Sequence, residues 1–513
     1  MFYKISSAAL CGIDAHVIDV ESDVSNGLPS FDLVGLLTTE VREARERVRV
    51  AIHNTGIILK PKRITVNLSP ADIRKDGTCF DLPIAISLLI AYGLIDVTKE
   101  SISEFIKETM FVGELSLDGE INHVNGILPI TSAARAAGFK NILVPYRNSC
   151  EASCIMGINT YGAKNLHDVI LFLEGNENLK MVNESAGELL KAGKEYCDDF
   201  SNISGQKSAK RAIEVAVAGM HNILLSGSPG SGKTMMAKSI PSIMPELDFE
   251  ESLEISKIYS VIGGLSQSEP LIVKRPFRSP HHTITSTALS GGGSTPKPGE
   301  ISLATDGVLF LDELPEFSRD AIEALRTPLE EKKVVINRLN GSFTYPADFM
   351  LVAAMNPCPC GNYPDKKLCR CSQKEIKNYQ SRISRPILDR IDICVQVSNP
   401  KFDELQECEK NESSAEIKKR VNLSREIQRK RYENEKIKYN SELTPVLLNK
   451  YCRLGKEETG IVKDAFQKLG LSARSYHRLL KVARTIADLA GDEKIKAEYL
   501  CEAISYRNRI SFD

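Results

Sequence analysis

The chain has 513 residues, with 66 Lys and Arg against 67 Asp and Glu and a formal net charge of −1. At roughly 150 residues per domain, this length predicts about three domains. Apolar residues make up 42% and charged residues 26%, which is typical of globular proteins and excludes collagen, wholesale disorder and a disulfide-stabilised miniprotein. Because the net charge is close to zero, any polyanion must be bound by a local basic patch.

The N-terminal region, residues 1–172, alternates predicted strands and helices. Residues 38–56 predict a helix with one apolar face that ends at Gly56. The longest apolar run, Phe80–Val97, is short for a membrane span and contains charged and helix-breaking residues, so we expect a buried helix. Strands are predicted from β-branched and apolar content at residues 16–22, 62–68, 109–115 and 140–145.

The N-terminal sequence and the number of cysteines indicate in which cellular compartment the protein is expected. Asp14 and Asp19 follow the first residue too closely for a signal peptide. Thirteen cysteines without such a peptide predict a reducing cytoplasm, where cysteine fills a core, binds metal or catalyses.

Two further domains are predicted after a linker. The stretch Glu174–Asp199 is polar and rich in Gly and Glu, which predicts a linker at residues 173–200. Residues 201–400 alternate strands and helices in the manner of a parallel-sheet α/β domain. Residues 401–513 predict an almost wholly helical domain. Buried strands of the α/β domain are expected at residues 222–227, 307–313, 349–356 and 393–397.

Residues 227–234 form the phosphate-loop pattern G-x-x-x-x-G-K-T, between a predicted strand and a predicted helix. Backbone N–H groups of such a loop, with the helix N-terminus, bind phosphate. We expect Lys233 to reach the β- and γ-phosphates of ATP and the Thr234 hydroxyl to hold Mg²⁺. The alternative is a chance Gly-rich turn. The residues of the loop are Gly227, Ser228, Pro229, Gly230, Ser231, Gly232, Lys233 and Thr234.

Polar residues follow two other predicted strands. Asp312 and Glu313 come directly after an apolar strand, where Asp312 is expected to hold Mg²⁺ and Glu313 to polarise the attacking water. The alternative is a helix N-cap, which is compatible with catalysis. Asn356 ends a neighbouring strand and is expected to contact the same water.

Two arginines complete the predicted site. Arginine stabilises the charge that develops on a transferred phosphoryl group, from the same or a neighbouring subunit. Arg390 precedes a strand, and Arg474 lies near the start of a C-terminal helix. Arg382 and Arg385 compete with Arg390 for this role, and an ordinary surface ion pair is the alternative for each arginine.

Four cysteines lie within fourteen positions and predict a tetrahedral Zn²⁺ site in a turn-rich loop. The C-x-C spacing is tighter than usual, and four free thiols are the alternative. Lys366, Lys367 and Arg370 give the loop a basic face. The four residues are Cys358, Cys360, Cys369 and Cys371.

Three basic segments are candidates for contact with a nucleic-acid backbone. Residues 417–438 carry five Lys, four Arg and three Glu, with a solvated helix face as the alternative. Lys274, Arg275 and Arg278 precede a His281-His282 pair and a Gly-rich run, which we interpret as a structured insertion rather than a metal site. Residues 333–347 predict a hairpin with Arg338 beside its Asn-Gly turn.

These residues, in this order, resemble an AAA+ ATPase, and more narrowly the magnesium-chelatase-like YifB/ComM family. The resemblance is close at residues 219–234, 277–293, 298–317, 352–363 and 387–397, and it covers nearly the whole chain. It implies Asn356 as the sensor asparagine, Arg390 as a finger acting across a subunit interface and Arg474 as the second sensor on a helical lid. It also implies that Ile203 and Gln206 line the adenine pocket and that six subunits form a ring.

The N-terminal domain resembles the Lon protease fold, an α+β fold whose active site pairs a serine with a lysine. Cys79 stands at the serine position and Leu128 at the lysine position. A thiol remains a nucleophile, but the lysine base is missing. We therefore expect an inert Cys79 in a module for assembly or nucleic-acid contact.

The leading hypothesis is an ATP-driven ring motor acting on DNA, of the helicase or translocase class. The resemblance associates this activity with branch migration in recombination and natural transformation. The alternatives are a chelatase-type motor subunit with a porphyrin-carrying protein partner, a regulatory protease, and a protein remodeller that ignores DNA. Neither a membrane nor a further cofactor beyond ATP, Mg²⁺ and Zn²⁺ is expected.

Overall fold

The computed structural model describes residues 1–176, 178–182, 196, 198–293, 296–338, 341–365, 367–398 and 411–507. The chain forms two compact units. The first comprises Met1–Gly193, Asp248–Val273 and Asn337–Thr344. The second comprises Lys194–Leu247, Lys274–Ile336 and Tyr345–Asp513.

The secondary structure alternates strands and helices up to residue 397, and the regular elements described after it are all helices. The strands are β1 (Phe2–Cys11), β2 (Asp14–Ser25), β3 (Ser30–Val34), β4 (Arg63–Ser69), β5 (Thr109–Phe111), β6 (Glu114–Leu115), β7 (Ile121–Asn122), β8 (Asn141–Pro145), β9 (Asn159–Ala163), β10 (Met181–Val182), β11 (Ile223–Gly227), β12 (Phe277–Arg278), β13 (Gly291–Gly292), β14 (Lys297–Pro298), β15 (Val308–Leu311), β16 (Lys333–Arg338), β17 (Gly341–Pro346), β18 (Met350–Met355) and β19 (Ile393–Val397). The helices are α1 (Thr39–Asn54), α2 (Asp81–Ala91), α3 (Glu100–Lys107), α4 (Ile127–Ala136), α5 (Ser149–Ser153), α6 (Leu166–Glu174), α7 (Lys207–Gly219), α8 (Lys233–Ile243), α9 (Phe249–Val261), α10 (Ser286–Ser290), α11 (Glu300–Leu303), α12 (Arg319–Ala324), α13 (Pro328–Glu331), α14 (Gln373–Gln380), α15 (Arg385–Leu388), α16 (Ser414–Arg431), α17 (Pro445–Tyr451), α18 (Lys456–Lys468), α19 (Ala473–Leu489) and α20 (Ala497–Ser505).

An eight-stranded mixed sheet of order β10-β9-β8-β5-β1-β2-β4-β3 organises the first unit. Its longest pairing is antiparallel, between β1 and β2, with Phe2 opposite Asp23. Every residue of α2 is buried, because the helix is apolar on all its faces and packs within the core. This confirms the buried helix predicted within the apolar run. Helix α9, from the segment Asp248–Val273, also belongs to this unit although it follows the phosphate loop in sequence.

A five-stranded parallel sheet of order β12-β15-β18-β11-β19 organises the second unit. Ile223 of β11 lies between Val352 of β18 and Ile393 of β19, and β11 is buried along its whole length. Since all five strands run the same way, the residues that follow their carboxyl ends meet at one edge of the sheet. All four strands predicted for this domain are present, and β11, β15 and β18 are buried along their whole length. The edge strand β19 is buried on one face only, because Gln396 is exposed and Cys394 is half-buried.

The C-terminal helices pack onto the same unit. Helix α16 begins with a capping box formed by Ser413 and Glu416, and it buries Ile417 and Val421. Helix α19 buries Leu479 and Leu480 and then every residue from Val482 to Asp488, so its second half is enclosed on all sides.

The remaining predictions concern connecting segments. In the predicted linker, 173–200, α6 ends at Glu174 and β10 pairs antiparallel with β9, while residues 177, 183–195 and 197 lie outside the described part. Strands β16 and β17 form the predicted two-stranded hairpin. Asn340 of its turn, Ser294 at the end of the Gly-rich run and Lys366 lie outside the described residues. Nowhere in the described ranges is a helix both long enough and apolar enough to span a bilayer.

Candidate active site

The phosphate loop connects strand β11, which ends at Gly227, to helix α8, which begins at Lys233. Gly230 and Gly232 have φ of 77° and 89°, in the left-handed region that favours glycine. The Lys233 Nζ donates hydrogen bonds to the carbonyl oxygens of Gly227, at 2.7 Å, and Ser228, at 2.9 Å. Burial lowers the pKa of Lys233, which the charges of two nearby carboxylates oppose. The loop therefore has the shape and the cation that a phosphate group requires.

The acidic residues after β15 reach the same loop. The Thr234 hydroxyl donates to Asp312 Oδ2 at 2.8 Å. The backbone N–H of Glu313 donates to Asp312 Oδ1 at 2.9 Å, while the Glu313 carboxylate is exposed. Hydroxyl and carboxylate oxygens are ligands that Mg²⁺ prefers, so this pair fits the ion expected beside the phosphates.

Asn356 joins the group from the end of β18. Its Oδ1 accepts a hydrogen bond from Lys233 Nζ at 3.2 Å. Lys233, Thr234, Asp312 and Asn356 therefore lie together at the carboxyl edge of the sheet, where the sequence predicted them.

The predicted arginines have different surroundings. Arg390 is buried, and its guanidinium donates to the Pro386 carbonyl at 2.6 Å and pairs with Glu330 at 2.5 Å. Arg474 is exposed at the second position of α19. Arg382 is exposed and bonds both carboxylate oxygens of Glu316 at 2.9 Å. Among the described contacts, none joins Arg390 or Arg474 to the phosphate loop of the same chain.

The predicted adenine-pocket segment lies just before α7. Ile203 is buried in the core of the second unit, and its carbonyl accepts a hydrogen bond from Lys210 at 2.5 Å. The Gln206 side chain donates to the carbonyl of Ser398, which directly follows β19. This contact ties the start of α7 to a strand end that neighbours the phosphate loop.

The four clustered cysteines converge after Asn356. Cys358 Sγ lies 3.4 Å from Cys360 Sγ and 3.8 Å from Cys369 Sγ, and Cys360 and Cys369 are 3.6 Å apart. With Cys371, the four sulfur atoms all lie within 4.8 Å of one another. Hydrogen bonds from the backbone N–H groups of Asn362 and Arg370 lower the pKa of Cys360 to about 6, whereas burial and the neighbouring sulfurs raise the pKa of Cys369 and that of Cys371. Convergent sulfurs that accept backbone N–H groups are suited to binding a metal as thiolates.

Family models of magnesium chelatase match three segments of the chain. The model "Magnesium chelatase, subunit ChlI" matches residues 199–405, "Subunit ChlI of Mg-chelatase" matches 20–148, and "Magnesium chelatase, subunit ChlI C-terminal" matches 411–507. Competence protein ComM of Haemophilus influenzae is 42% identical over 508 residues, which are 98% of this chain and 97% of the relative. The chain belongs to the YifB/ComM family of magnesium-chelatase-like proteins.

Other relatives show how far the similarity extends. The uncharacterized protein YifB of Escherichia coli is 42% identical over 504 residues, which are 98% of this chain and 96% of the relative. The magnesium-chelatase 67 kDa subunit of Chlorobaculum parvum is 25% identical over 161 residues, which are 31% of this chain and 23% of that subunit. Membership of the YifB/ComM family indicates an ATPase that uses ATP and Mg²⁺, and the central parallel sheet with its phosphate loop fits an AAA+ domain followed by helices.

Cys79 of this YifB/ComM-family chain is 6% exposed, and its Sγ lies 3.7 Å from the Ala8 carbonyl oxygen. Burial raises the pKa of the Cys79 thiol to about 12. Leu128 is fully buried at the second position of α4. The Cys79 thiol is therefore buried and neutral, and a buried leucine rather than a lysine stands at position 128.

Sequence reasoning missed one neighbour of the acidic pair. His282 Nδ1 lies 3.7 Å from Glu313 Oε2, and the rings of His281 and His282 are 4.1 Å apart. The adjacent His281 and His282 are visible in the sequence, but a contact across thirty-one positions has no local signal.

Several basic residues considered for polyanion contact are paired within the chain instead. Arg278 bonds Glu300 through two nitrogens, at 2.6 and 2.8 Å. Arg275 is buried and donates to the carbonyls of Pro245 and Asp306, at 2.6 and 2.7 Å. Arg431 bonds both oxygens of the buried Asp488. These guanidinium groups hold the fold together, so exposed residues such as Arg338, Arg429 and Lys430 remain the better candidates.

Proposed function

We propose that the chain is an ATP-hydrolysing ring motor that acts on DNA, with helicase or branch-migration activity in recombination or natural transformation. One observation carries this proposal: Lys233, Thr234, Asp312 and Asn356 converge in a chain that is 42% identical, over nearly its full length, to a competence protein. A six-subunit ring is part of the proposal, since the family resemblance implies it and a finger acting from a neighbouring subunit requires such an interface.

Each residue of the site has a proposed role. The backbone of the phosphate loop and Lys233 bind the phosphates, and Thr234 and Asp312 hold Mg²⁺. The bound ion neutralises phosphate charge. Glu313 orients and polarises the attacking water, and Asn356 positions it from the adjacent strand end. Arg390 and Arg474 stabilise the developing charge, and Ile203 and Gln206 border the adenine.

The proposed DNA contacts are exposed basic groups. Arg338 is exposed at the end of β16, beside the hairpin turn, and Arg429 and Lys430 are exposed on the last turn of α16. Such groups bind phosphates without reading sequence, and their affinity falls as salt rises. A motor that moves along DNA needs this kind of contact.

The decisive experiment measures ATPase activity with single-stranded DNA, with forked DNA and without DNA, over a salt series. We expect DNA to increase turnover and its apparent affinity to fall with salt. Arg338→Ala should lower the slope of log affinity against log salt by about one. Lys238→Ala, which removes an exposed lysine of α8, should leave that slope unchanged.

Turnover that ignores every DNA substrate would contradict the DNA motor. The same result with an intact basal ATPase would favour a protein remodeller or a chelatase-type motor subunit. The chelatase alternative rests on the match to the chelatase family models, and it predicts stimulation by a porphyrin-carrying protein partner.

We also propose that the cysteine cluster binds one Zn²⁺ per chain. Four sulfurs around a zinc ion, with Zn–S bonds of about 2.3 Å, lie about 3.8 Å apart. The separations of 3.4–3.8 Å among Cys358, Cys360 and Cys369 fit that geometry, and Cys371 Sγ lies within 4.8 Å of the other three. Metal analysis of protein purified without chelator should return about one zinc per chain. A zinc-free protein, folded and active, would refute the site.

The N-terminal domain is proposed to keep a Lon-like fold without protease activity. The buried, neutral Cys79 and the leucine at position 128 support this proposal. A role in assembly or nucleic-acid contact is compatible with such a domain.

A further inference from the structure

The loop that carries the four cysteines contacts the phosphate loop directly. We call residues Pro357–Cys371 the cysteine loop; all of them except residue 366 are described. Gly361 of this loop is buried and has φ of 80°. A Cβ atom at Gly361 would lie 2.3 Å from Cδ and 2.8 Å from Cγ of Pro229, the third residue of the phosphate loop. The backbone of Gly361 therefore packs against the Pro229 ring at a distance that only glycine allows.

A cavity lies beside the contact between Gly361 and Pro229. It has a volume of about 360 Å³ and lies between the beginning of the phosphate loop, the turn of the cysteine loop and the end of β19. Its walls include Gly227 and Ser228 on one side and Ser398 on another. The residues of the cysteine loop that line it are Pro357, Gly361, Asn362, Tyr363, Pro364, Asp365 and Leu368.

The cysteine loop is also joined to the catalytic group through the chain itself. Cys358 is two residues after Asn356, whose side chain accepts a hydrogen bond from Lys233. At its other end the loop leads into α14, whose Gln380 donates to the Pro357 carbonyl at 3.1 Å. A displacement of the cysteine loop would therefore shift both the phosphate loop and the strand end that carries Asn356.

Burial alone holds this loop poorly. Of its described residues, only Cys358 and Gly361 are buried, and Leu368 is 62% exposed. Its contacts are turn hydrogen bonds, such as Gly361 N–H to the Cys358 carbonyl at 2.9 Å, and the N–H of Tyr363 on Cys358 Sγ at 3.4 Å. A loop of this kind obtains its shape from a metal when its ligands converge, as these do.

We propose that the cysteine loop is a metal-dependent brace for the phosphate loop: zinc on its four sulfurs holds Gly361 against Pro229, in the arrangement that binds ATP. This inference rests on the proposed zinc site and the proposed ATPase. Gly361 is a positioning residue, since it acts on the nucleotide through Pro229. Removal of zinc is then expected to weaken ATP binding without any change in the phosphate-loop sequence.

The test measures zinc content and ATP affinity in parallel on the full-length protein, with a fluorescent ATP analogue and Mg²⁺. Zinc-stripped protein should bind the analogue about tenfold more weakly or worse, and added Zn²⁺ should restore the affinity. Gly361→Ala should keep one zinc per chain but lose about tenfold or more in affinity, because the new methyl group overpacks against the Pro229 ring. Circular dichroism establishes that each sample is folded.

A matched control separates the contact from backbone strain. Gly491 has φ of 75°, and a Cβ there would meet nothing within 4 Å. Gly491→Ala therefore carries similar strain at an exposed site and should keep both its zinc and its ATP affinity. A loss of ATP affinity confined to Gly361→Ala would therefore exclude a general effect of one strained alanine on the fold.

Each outcome contradicts a different proposal: the brace, the zinc site or the ATPase. Folded, zinc-stripped protein that binds ATP as tightly as the loaded protein would overturn the brace and leave both proposed functions standing. Absence of zinc from the purified wild type would overturn the zinc site and the brace with it. Failure of the zinc-loaded wild type to bind ATP would overturn the ATPase. If stripping unfolds the protein, normal ATP affinity in Gly361→Ala still overturns the brace.

Discussion

Lys233 has two roles that a single substitution would remove together. Its ammonium group bonds the carbonyls of Gly227 and Ser228 and the side chain of Asn356, so it organises the loop that it serves. It is also the cation that faces the β- and γ-phosphates in the proposed complex. Removing it therefore affects both the loop and its ligand.

Lys233→Ala should abolish ATP turnover and weaken nucleotide binding, because one charge-assisted contact is worth about 1.5–3 kcal/mol, or roughly tenfold to more than a hundredfold in affinity. Steady-state ATPase assays and nucleotide titration measure the two effects. Lys238→Ala, on the exposed face of the same helix, is the control and should behave as wild type. Near-normal turnover of a folded Lys233→Ala protein would contradict the phosphate-loop assignment.

Cys79 is expected to be chemically silent in the native protein. Since burial raises the pKa of the Cys79 thiol to about 12, the reactive thiolate is scarce at pH 8. The buried side chain is also inaccessible to reagents in solution. Mass spectrometry after iodoacetamide treatment should find Cys11 and Cys501, which are exposed, labelled under native conditions. Cys79 should be labelled only after denaturation.

Cys79→Ala should leave ATPase activity intact, and no peptide hydrolysis should be detected in either protein. Hydrolysis that is present in the wild type and lost in Cys79→Ala would overturn the non-protease interpretation of the N-terminal domain.

Among the elements, α19 is fixed to the sheet by a buried ionic cluster. Asp392, directly before β19, lies 3.3 Å from His221 Nδ1 and 3.3 Å from Arg478 Nε of α19. His221 also bonds Thr485 of α19 at 2.8 Å. Burial by itself would raise the pKa of Asp392, but the hydrogen bond from His221 and the neighbouring positive charges outweigh it and lower the pKa to about 2. The helix that carries Arg474 is thereby anchored to the sheet that carries the phosphate loop.

Asp392→Asn should destabilise the protein at pH 7 by a few kcal/mol, because it leaves a buried cation without its counter-charge, for which about 3–5 kcal/mol is typical. The folded pKa of Asp392 lies below its unfolded value of about 3.9, so its contribution is complete above pH 4 and is lost as pH falls toward 2. Urea unfolding over a pH series should therefore show the wild type and the variant converging in acid. As a control, Lys450→Ala breaks an exposed pair with Glu435 and should lower the free energy of unfolding by less than about 1 kcal/mol. If the stability difference between wild type and Asp392→Asn did not change with pH, the lowered pKa of Asp392 would be contradicted.

Sequence alone was sufficient where the signal is local. The strand–loop–helix of residues 223–243 follows from an apolar run, a glycine pattern and a helix start, and Asp312 and Asn356 follow from their places after apolar strands. The parallel arrangement of the strands is then enough to predict that those residues meet at one edge of the sheet. Contacts between distant segments had no such signal: the packing of Gly361 on Pro229, the approach of His282 to Glu313 and the internal pairing of Arg278 all depend on tertiary structure.

At the scale of the whole molecule, each compact unit is built from segments that are not contiguous in the sequence. The segment Asp248–Val273 follows the phosphate-loop helix, yet it belongs to the first unit, where Ser260 donates to the buried Glu151 at 2.5 Å and Glu151 also accepts the Leu128 N–H at 3.2 Å. Burial raises the pKa of Glu151, and the three hydrogen bonds it accepts oppose that rise. The chain thus passes from the ATPase strand-and-loop core into the N-terminal unit and back, so the two units are linked by more than the 173–200 connection.

The proposed finger role of Arg390 depends on a neighbouring subunit and must be tested in the assembly. Within one chain Arg390 pairs with Glu330, and Glu330→Ala removes this partner without removing the guanidinium, so that variant should keep most of its turnover. Arg390→Ala should abolish hydrolysis while leaving nucleotide binding largely intact, since a finger stabilises the transition state more than the ground state and is worth about 10³–10⁵ in rate. Glu313→Gln should be equally inactive, because the attacking water is no longer polarised.

Mixing the two inactive variants then decides whether Arg390 acts across a subunit interface. In a mixed ring, some interfaces combine an intact Glu313 from one subunit with an intact Arg390 from its neighbour, and only those interfaces can hydrolyse ATP. Partial ATPase activity, greatest near equal proportions of the two variants, is therefore expected, with each variant alone as the control. If native mass spectrometry shows mixed rings and no ratio restores activity, Arg390 acts within its own subunit, where its contact with Glu330 would make its role structural.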